Sequence, residues 1–597
     1  VALYRNAGAG GRRAAAAIAV GVVLTAAACT ANPPPPVEST DSLSPTTTVT
    51  ARNTVVVAID NVGTGFNPHL LADQSPVNSA VSALVLPSPF RPVLDPAHPG
   101  ITDWVLDPSV LVSATLEPPT PEAPSTIIYQ LRNEAQWSDG APIAAEDFRY
   151  LWQQMISQPG VVDPAGYGLI EDVESSGGGK TVTVKLTAAY PAWRQLFADL
   201  LPSHLVKDSP GGFARGLSDS IPVSGGLFHM KSIDRGRDEI VLERNDRFWG
   251  PPAVADEILM RRGGSPAQLA DSMRSGDTQV ARLHGGSGTL AQLSVIPGVR
   301  TGTELQPRVL TVTLNGRVAQ LADVGVRRGL FGLLDANLLA TVGAGSQSSA
   351  KAARAQVLAP SDPGYVPTAP EALARDEASS LLAAAGYQSV PDRTAPADPE
   401  ILTRGRLMRG DEQLTLVIGA PENDRTAIAV ANTVADLWRG AGIAASIRVL
   451  HGEDLYGDAL SAGTVDAVVG WERAGGDPAT SLASRFGCLP LTPLGTTPGS
   501  PTVASESGPA LRAPSNLSGL CDPVLQPAID EALRGQGDVL QVIEEAEPRL
   551  WDLAAVLPVL QDNTVVAAGP GVDGVELSGP VQVGIFADAG TWARILQ

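Results

Sequence analysis

The chain has 597 residues, 63 of them Asp or Glu against 42 Lys or Arg, with a formal net charge of -21 and 44% hydrophobic residues. At roughly 100–200 residues per domain, a composition this apolar supplies several cores and excludes a wholly disordered protein. The acidic balance repels phosphate backbones and anionic lipid surfaces, so nucleic acid is excluded as a main partner while neutral and basic ligands stay open.

Arg5, Arg12 and Arg13 precede an uncharged stretch, residues 14–28, of mostly Ala, Val, Ile and Leu. It is shorter than the about 20 residues that span a bilayer, so residues 1–28 read as a signal peptide. The stretch ends Ala26-Ala27-Ala28-Cys29. That ending resembles a lipobox, in which the Cys is acylated and becomes the mature N-terminus, with Ala26 standing where the motif has Leu. Ordinary cleavage after an Ala-x-Ala site, leaving a secreted protein, is the alternative. Residues 29–51 hold four consecutive Pro and nine Ser or Thr, a composition that buries no core and makes an extended tether. The body is therefore expected on the extracytoplasmic side of the cell membrane, anchored through a lipid on Cys29.

Within the body, residues 54–59 read as a strand buried on both faces, feeding the loop Gly63-Thr64-Gly65-Phe66-Asn67-Pro68-His69. Residues 127–131 read as a strand, followed by a turn at Ser138-Asp139-Gly140. Phe148, Leu151, Trp152, Met155 and Ile156 fall at the spacing of an amphipathic helix with Trp152 in the core. Gly177-Gly178-Gly179-Lys180-Thr181 looks like a phosphate loop, but Glu174 stands where that motif needs its first Gly, and a strand at 181–186 follows where a helix should. It reads as a hairpin turn.

Strands at 414–418, 443–449 and 465–470, with a helix marked by Val430, Ala431, Val434, Leu437 and Trp438 and ended by Gly440, form a β-α-β-α-β unit and hence a parallel sheet. Ligands of open α/β sheets sit beyond the carboxyl ends of strands, which puts Trp471, Glu472 and Arg473 at a cleft; a packed domain-edge aromatic is the alternative for Trp471. Glu544, Glu545 and Glu547 on a later helix read as a solvated face. Cys488 and Cys521 bracket a segment with six Pro and four Gly. In an oxidising compartment a disulfide is expected there, with two buried thiols as the alternative. The six His show no metal-ligand spacing, and neither a nucleophile elbow nor a complete dinucleotide fingerprint occurs. No metal, no cofactor and no catalytic residue is expected.

Taken in order, "TVVVAID", "GFNPHL", "IIYQLRNEAQWSDGAPIAAEDF", "PVSGGLFHM" with "IVLERNDRFWG", "LADVGVRRGLFGLLD", "LLAAAGY", "GIAASI" and "VDAVVGWERAGGDP" resemble the peptide/nickel family of extracytoplasmic solute-binding proteins that serve ABC importers. The resemblance implies an α/β, periplasmic-binding-protein-like fold of class II, with two α/β lobes around an interlobe cleft plus an extra lobe. On that pattern lobe I takes residues 52–96, 223–305 and 561–597, the extra lobe II residues 97–222, and lobe III residues 306–560. Further stretches, "GFNPHLLADQSPVN", "GDTQVARLHGG", "SDPGYVPTAP" and "GWERAGGDPATSLASRFGC", look like a mycobacterial lipoprotein branch. Its members are described as binding acylated phosphatidylinositol mannosides and steering their conversion into lipomannan and lipoarabinomannan. The branch implies a non-enzymatic, monomeric lipoprotein whose partners are a phosphatidylinositol mannoside glycolipid and membrane mannosyltransferases of that pathway.

Carboxylates accept sugar hydroxyls and aromatic rings stack on sugar faces, so the ligand-binding candidates are Asp60, Phe66, Asn67, Trp471, Glu472, Arg473 and Asp477. The acidity suits the mannose end of such a glycolipid better than its phosphate. Peptide-binding members carry an Asp, three residues after the Trp of the Gly-Trp motif, that pairs with the ligand's amino terminus. Here that position is Ala474, which argues against the peptide case of the competing reading, an ABC importer's substrate-binding receptor for peptides or another small solute. An envelope glycoside-active enzyme ranks below both. Ala144, where the family has a helix-starting Thr, implies a small loss of capping.

Overall fold

The computed structural model describes residues 53–98, 100–120, 125–345, 350–391, 405–488 and 516–595. The expected signal peptide, Cys29 and the tether lie outside them. Residues Thr54–Ile59 form β1, and Pro76–Val85 form α1, capped by the Ser75 hydroxyl. A hairpin of β2 (Phe90–Leu94) and β3 (Thr102–Leu106) precedes β4 (Leu111–Glu117), β5 (Ser125–Leu131), α2 (Ala145–Ser157), β6 (Ile170–Ser176) and β7 (Thr181–Leu186). Next come β8 (Phe228–Asp234), β9 (Glu239–Arg244), β10 (Glu257–Arg262), β11 (Val280–Leu283) and a 15-residue strand, β12 (Arg300–Leu314). The chain continues through β13 (Thr415–Pro421), α3 (Arg425–Gly440), β14 (Ala444–Leu450), β15 (Ala467–Arg473), α4 (Pro478–Phe486), α5 (Val539–Leu553) and a 13-residue strand, β16 (Val556–Ala568).

One large sheet runs β14-β13-β15-β12-β16-β11-β1-β10-β9-β8. Its two long strands explain the architecture. Residues 300–305 of β12 pair with the end of β16 beside β11, whereas residues 309–314 pair with the start of β16 on one edge and with β15 on the other. The register slips between Leu305 and Val309, so the sheet changes direction there, as bulged ladders do. Each half buries its own core. One is built on Val57, Leu84 and Ile258 and continues into the four-stranded sheet β4-β5-β7-β6 of the extra lobe; the other is built on Leu310, Ile418 and Trp438. The expected α/β fold, two lobes and an extra one, follows from those cores and the strands that join them.

β1 is buried because β10 and β11 flank it in parallel. The expected parallel unit is present too, β13 lying between β14 and β15 in parallel register. Gly177, Gly178 and Gly179 all take positive φ, 57°, 67° and 87°, so they close the β6–β7 hairpin in a conformation other residues rarely adopt. Ala144 opens α2 without a side-chain cap, and the Asp147 carboxylate accepts its backbone N–H at 3.1 Å instead.

Three sequence expectations need correction. Trp152 is half-buried, and Ile156 is 42% exposed; the helix buries a narrower stripe, Phe148, Leu151 and Met155, because only one face meets the extra lobe's core. β15 does not stop at residue 470. Trp471, Glu472 and Arg473 stay in the strand because Leu310, Val309 and Arg308 pair with them. Glu547 is no part of a solvated face: it is 2% exposed and accepts the backbone N–H groups of Gln356 and Val357.

Cys488 and Cys521 form a disulfide with Cα atoms 5.2 Å apart. Because it joins residues 33 apart in sequence, replacing both Cys by Ala is expected to destabilise the protein by about 2–4 kcal/mol, through a freer unfolded chain. A urea midpoint indistinguishable from that of the unaltered protein would contradict this. Among the described residues, no helix is long and apolar enough to cross a membrane.

Candidate ligand-binding cleft

Where the two long strands slip register, they carry buried charge. Arg308 and Asp562 are 7% and 4% exposed, and Nε and Nη2 of Arg308 meet Asp562 Oδ2 at 2.7 and 2.6 Å. Asp562 Oδ1 accepts from His284 Nε2 at 2.7 Å, and His284 Nδ1 donates to Asp60 Oδ2 at the same distance. On its other side the Arg308 guanidinium stacks 3.9 Å from the centre of the Trp471 ring. The Trp471 Nε1–H in turn donates to Asp424 at 2.6 Å. Asp424 also caps α3 through the Ala427 N–H.

Asp60 and Trp471, both singled out in the sequence, therefore terminate one chain of alternating charge. Its middle members, His284, Asp562 and Arg308, are residues that sequence reasoning missed. Their available signal was an ion set in an apolar strand, Arg308 in "QPRVLTV" and Asp562 in "VLQDNTVV", since buried charges require partners. Burial works against a charged His284 ring, but Asp562 and Asp60, by charge and hydrogen bond, raise it to about 10. Burial would likewise raise Asp562, yet Arg308 and His284 hold it well below the usual carboxylate range.

The other candidates scatter. Phe66 is fully buried beneath Arg235. Asn67 is 1% exposed, its amide donating to the Phe213 carbonyl and its oxygen accepting the His69 N–H. The Asp477 carboxylate caps α4, accepting from the Thr480 N–H at 2.9 Å. Glu472 points to the opposite face of the sheet from Trp471, as strand alternation requires, into a cavity of about 430 Å³ that it shares with Gln356, Arg485 and Phe486. Burial pushes its carboxyl up to about 7, against the pull of Arg485 and with the help of Asp163.

Arg473 reaches a different space, a cavity of about 540 Å³ walled by Asn78 and Ser79 of α1, Trp104 of β3, Asp199 and Gln582. Next to it, Ala474 is 3% exposed in a small apolar nest with Val309, Ala353 and Ala359. An ammonium brought there would meet no carboxylate from position 474. Among the described residues no group of His, Cys, Asp and Glu is placed to hold a metal.

This arrangement matches known proteins. The model for bacterial extracellular solute-binding proteins, family 5 Middle, matches residues 116–490. A Mycobacterium tuberculosis protein named probable monoacyl phosphatidylinositol tetramannoside-binding protein LpqW is 51% identical over 600 residues, 93% of this chain and 94% of that one. The oligopeptide-binding protein OppA of Mycobacterium bovis is 29% identical over 243 residues, 37% of this chain and 38% of its own. Among solved structures, the oligopeptide-binding protein AppA of Bacillus subtilis, in complex with a nonapeptide, superposes with a TM-score of 0.67 at 14% identity, covering 91% of this chain and 99% of that one. The chain thus belongs to family 5 of the bacterial extracellular solute-binding proteins.

Proposed function

We propose that this protein is a lipid-anchored, extracytoplasmic receptor that binds an acylated phosphatidylinositol mannoside between its lobes and steers such intermediates toward lipomannan and lipoarabinomannan. The observation that carries the reading is half-identity along nearly the whole chain to a relative named for binding a phosphatidylinositol tetramannoside. Two features support it. The interlobe cavity has hydroxyl, amide and carboxylate walls, which suit a polyol. Ala474 removes the carboxylate that an incoming peptide's ammonium needs, a loss of several kcal/mol for a buried ion.

In this reading Arg473 touches the ligand, while the ion chain from Asp60 to Trp471, the packed Phe66 and Asn67 and the helix cap Asp477 hold the surrounding strands and loops in place. Glu472 serves the other cavity. The protein acts without catalysis, as a monomer, anchored through Cys29, and hands its ligand to membrane mannosyltransferases. The segments given above for lobes I, II and III are our assignment of the lobes.

Passing an envelope lipid extract over the purified chain, with mass spectrometry of what stays bound, is expected to recover a mannoside. Deleting the gene should shift the ratio of short mannosides to long lipoglycans. Retention of peptides in place of mannosides, with an unchanged glycolipid profile, would overturn the proposal in favour of an import receptor.

A further inference from the structure

Arg473 closes β15 directly opposite Arg308 in the antiparallel ladder. Like charges so placed repel. Arg308 is neutralised by Asp562, but the Arg473 guanidinium has no carboxylate within ion-pair distance and no hydrogen-bond acceptor among the described residues. Burial raises the Asp163 carboxyl, with Arg485 and Arg473 acting on it from beyond contact distance. A half-buried cation therefore faces the interlobe cavity without a counter-ion.

A second group in the same cavity is also unpartnered. Gln582 is 6% exposed. Its Nε2 donates to the Gly475 carbonyl, which fixes the amide, while its Oε1 is buried with no donor. A buried acceptor left unpaired is destabilising, so a ligand that donates to it is favoured. The remaining charged wall groups are Arg91, paired with Asp107 at 2.5 Å, and Asp199, which accepts the Ser88 hydroxyl. The space, open to solvent, offers one open cation, one open amide oxygen and one carboxylate.

We propose that this cavity is a polyol-phosphate subsite: an anionic phosphate ester sits on Arg473, and ring hydroxyls donate to Gln582 Oε1 and Asp199. The phosphate-bearing end of the ligand, rather than the mannose end expected from the sequence, is then the part held here. That the phosphate belongs to a phosphoinositide glycolipid rests on the function proposed above; the phosphate-on-Arg473 contact does not.

The test is calorimetric titration of the full chain with glycerophosphoinositol, which has the headgroup but neither mannose nor acyl chains. Methyl α-mannopyranoside, myo-inositol and inorganic phosphate are run as separate arms. Glycerophosphoinositol should bind, weaken with added salt, and outbind myo-inositol by at least tenfold. Arg473→Met should lose at least tenfold, Arg473→Lys should recover part of it, and Gln582→Leu should lose several-fold, with melting temperatures showing that each variant folds. Unchanged affinity in Arg473→Met, binding of methyl α-mannopyranoside alone, or no glycerophosphoinositol binding at millimolar concentration would each overturn the proposal. Inorganic phosphate binding as tightly as glycerophosphoinositol would remove the polyol part of it.

The two readings fail separately. Glycolipid retained equally by the unaltered chain and Arg473→Met sinks only the subsite. Headgroup binding without glycolipid retention sinks only the glycolipid function.

Discussion

Asp562→Ala is expected to destabilise the protein by about 3–5 kcal/mol, because it leaves the buried Arg308 guanidinium unpaired and facing the half-buried His284 ring. The carboxylate takes Nε and Nη2 of Arg308 on one oxygen, and His284 Nε2 and the Asn563 N–H on the other. Asp562→Asn, which keeps shape and loses charge, should cost less. The same residues predict a pH dependence. His284 is raised in the folded protein from 6.5 to about 10, so its contribution is complete below its unfolded value and fades as pH rises toward 10. Asp562 is lowered, so its contribution is present above the unfolded carboxylate value of about 4 and is lost in acid. The ion chain therefore stabilises most between about pH 4 and 6.5. Denaturant unfolding at pH 6 and pH 9 should show a larger loss on alkalinisation for the unaltered protein than for His284→Gln. Equal slopes in the two proteins would rule out a charged His284 in the folded state.

The second large effect is Glu547→Ala, expected to cost about 3 kcal/mol, since it orphans two buried backbone donors that water cannot reach. Glu547 accepts from the N–H groups of Gln356 and Val357 at 2.9 and 3.0 Å and from the Thr368 hydroxyl at 2.5 Å. It thereby pins an irregular segment onto α5, in place of a strand or helix partner for those N–H groups. Its neighbours on the same helix supply the control. Glu544 and Glu545 are exposed, and Glu544→Ala and Glu545→Ala should change the urea midpoint by no more than about 0.5 kcal/mol equivalent. Three equal effects would return all three acids to the surface.

These acids show how far reading residues in order can go. The helix carrying Glu544, Glu545 and Glu547 has a pattern that says which side is apolar, and it cannot say that an acid on the margin meets two bare amides from a loop nearly 200 residues earlier. Strands β1 and β7 were legible to the residue, because an apolar run or strict alternation is a local property of a pleated chain. The end of β15 was not. Its last three residues look like a loop until Arg308, Val309 and Leu310 arrive from a distant segment to pair with them.

By itself, the sequence determined the fold class, the parallel unit around β13, the hairpin turn at the three glycines and the pairing of Cys488 with Cys521. All depend on local periodicity, φ preference or a family pattern repeated along the chain. It also determined which anchor is missing, Ala474, because that is a matter of identity at one position. Tertiary structure alone decided what the candidate residues do: Asp60 and Trp471 became ends of one ion chain, Phe66 and Asn67 became packing, Asp477 became a helix cap, and Arg473 was left as an uncompensated cation at the cleft. The physical reason is that a charged side chain's role depends on which opposite charge the fold brings within a few ångströms, and those partners are set by strand register and lobe contact rather than by neighbours in the chain.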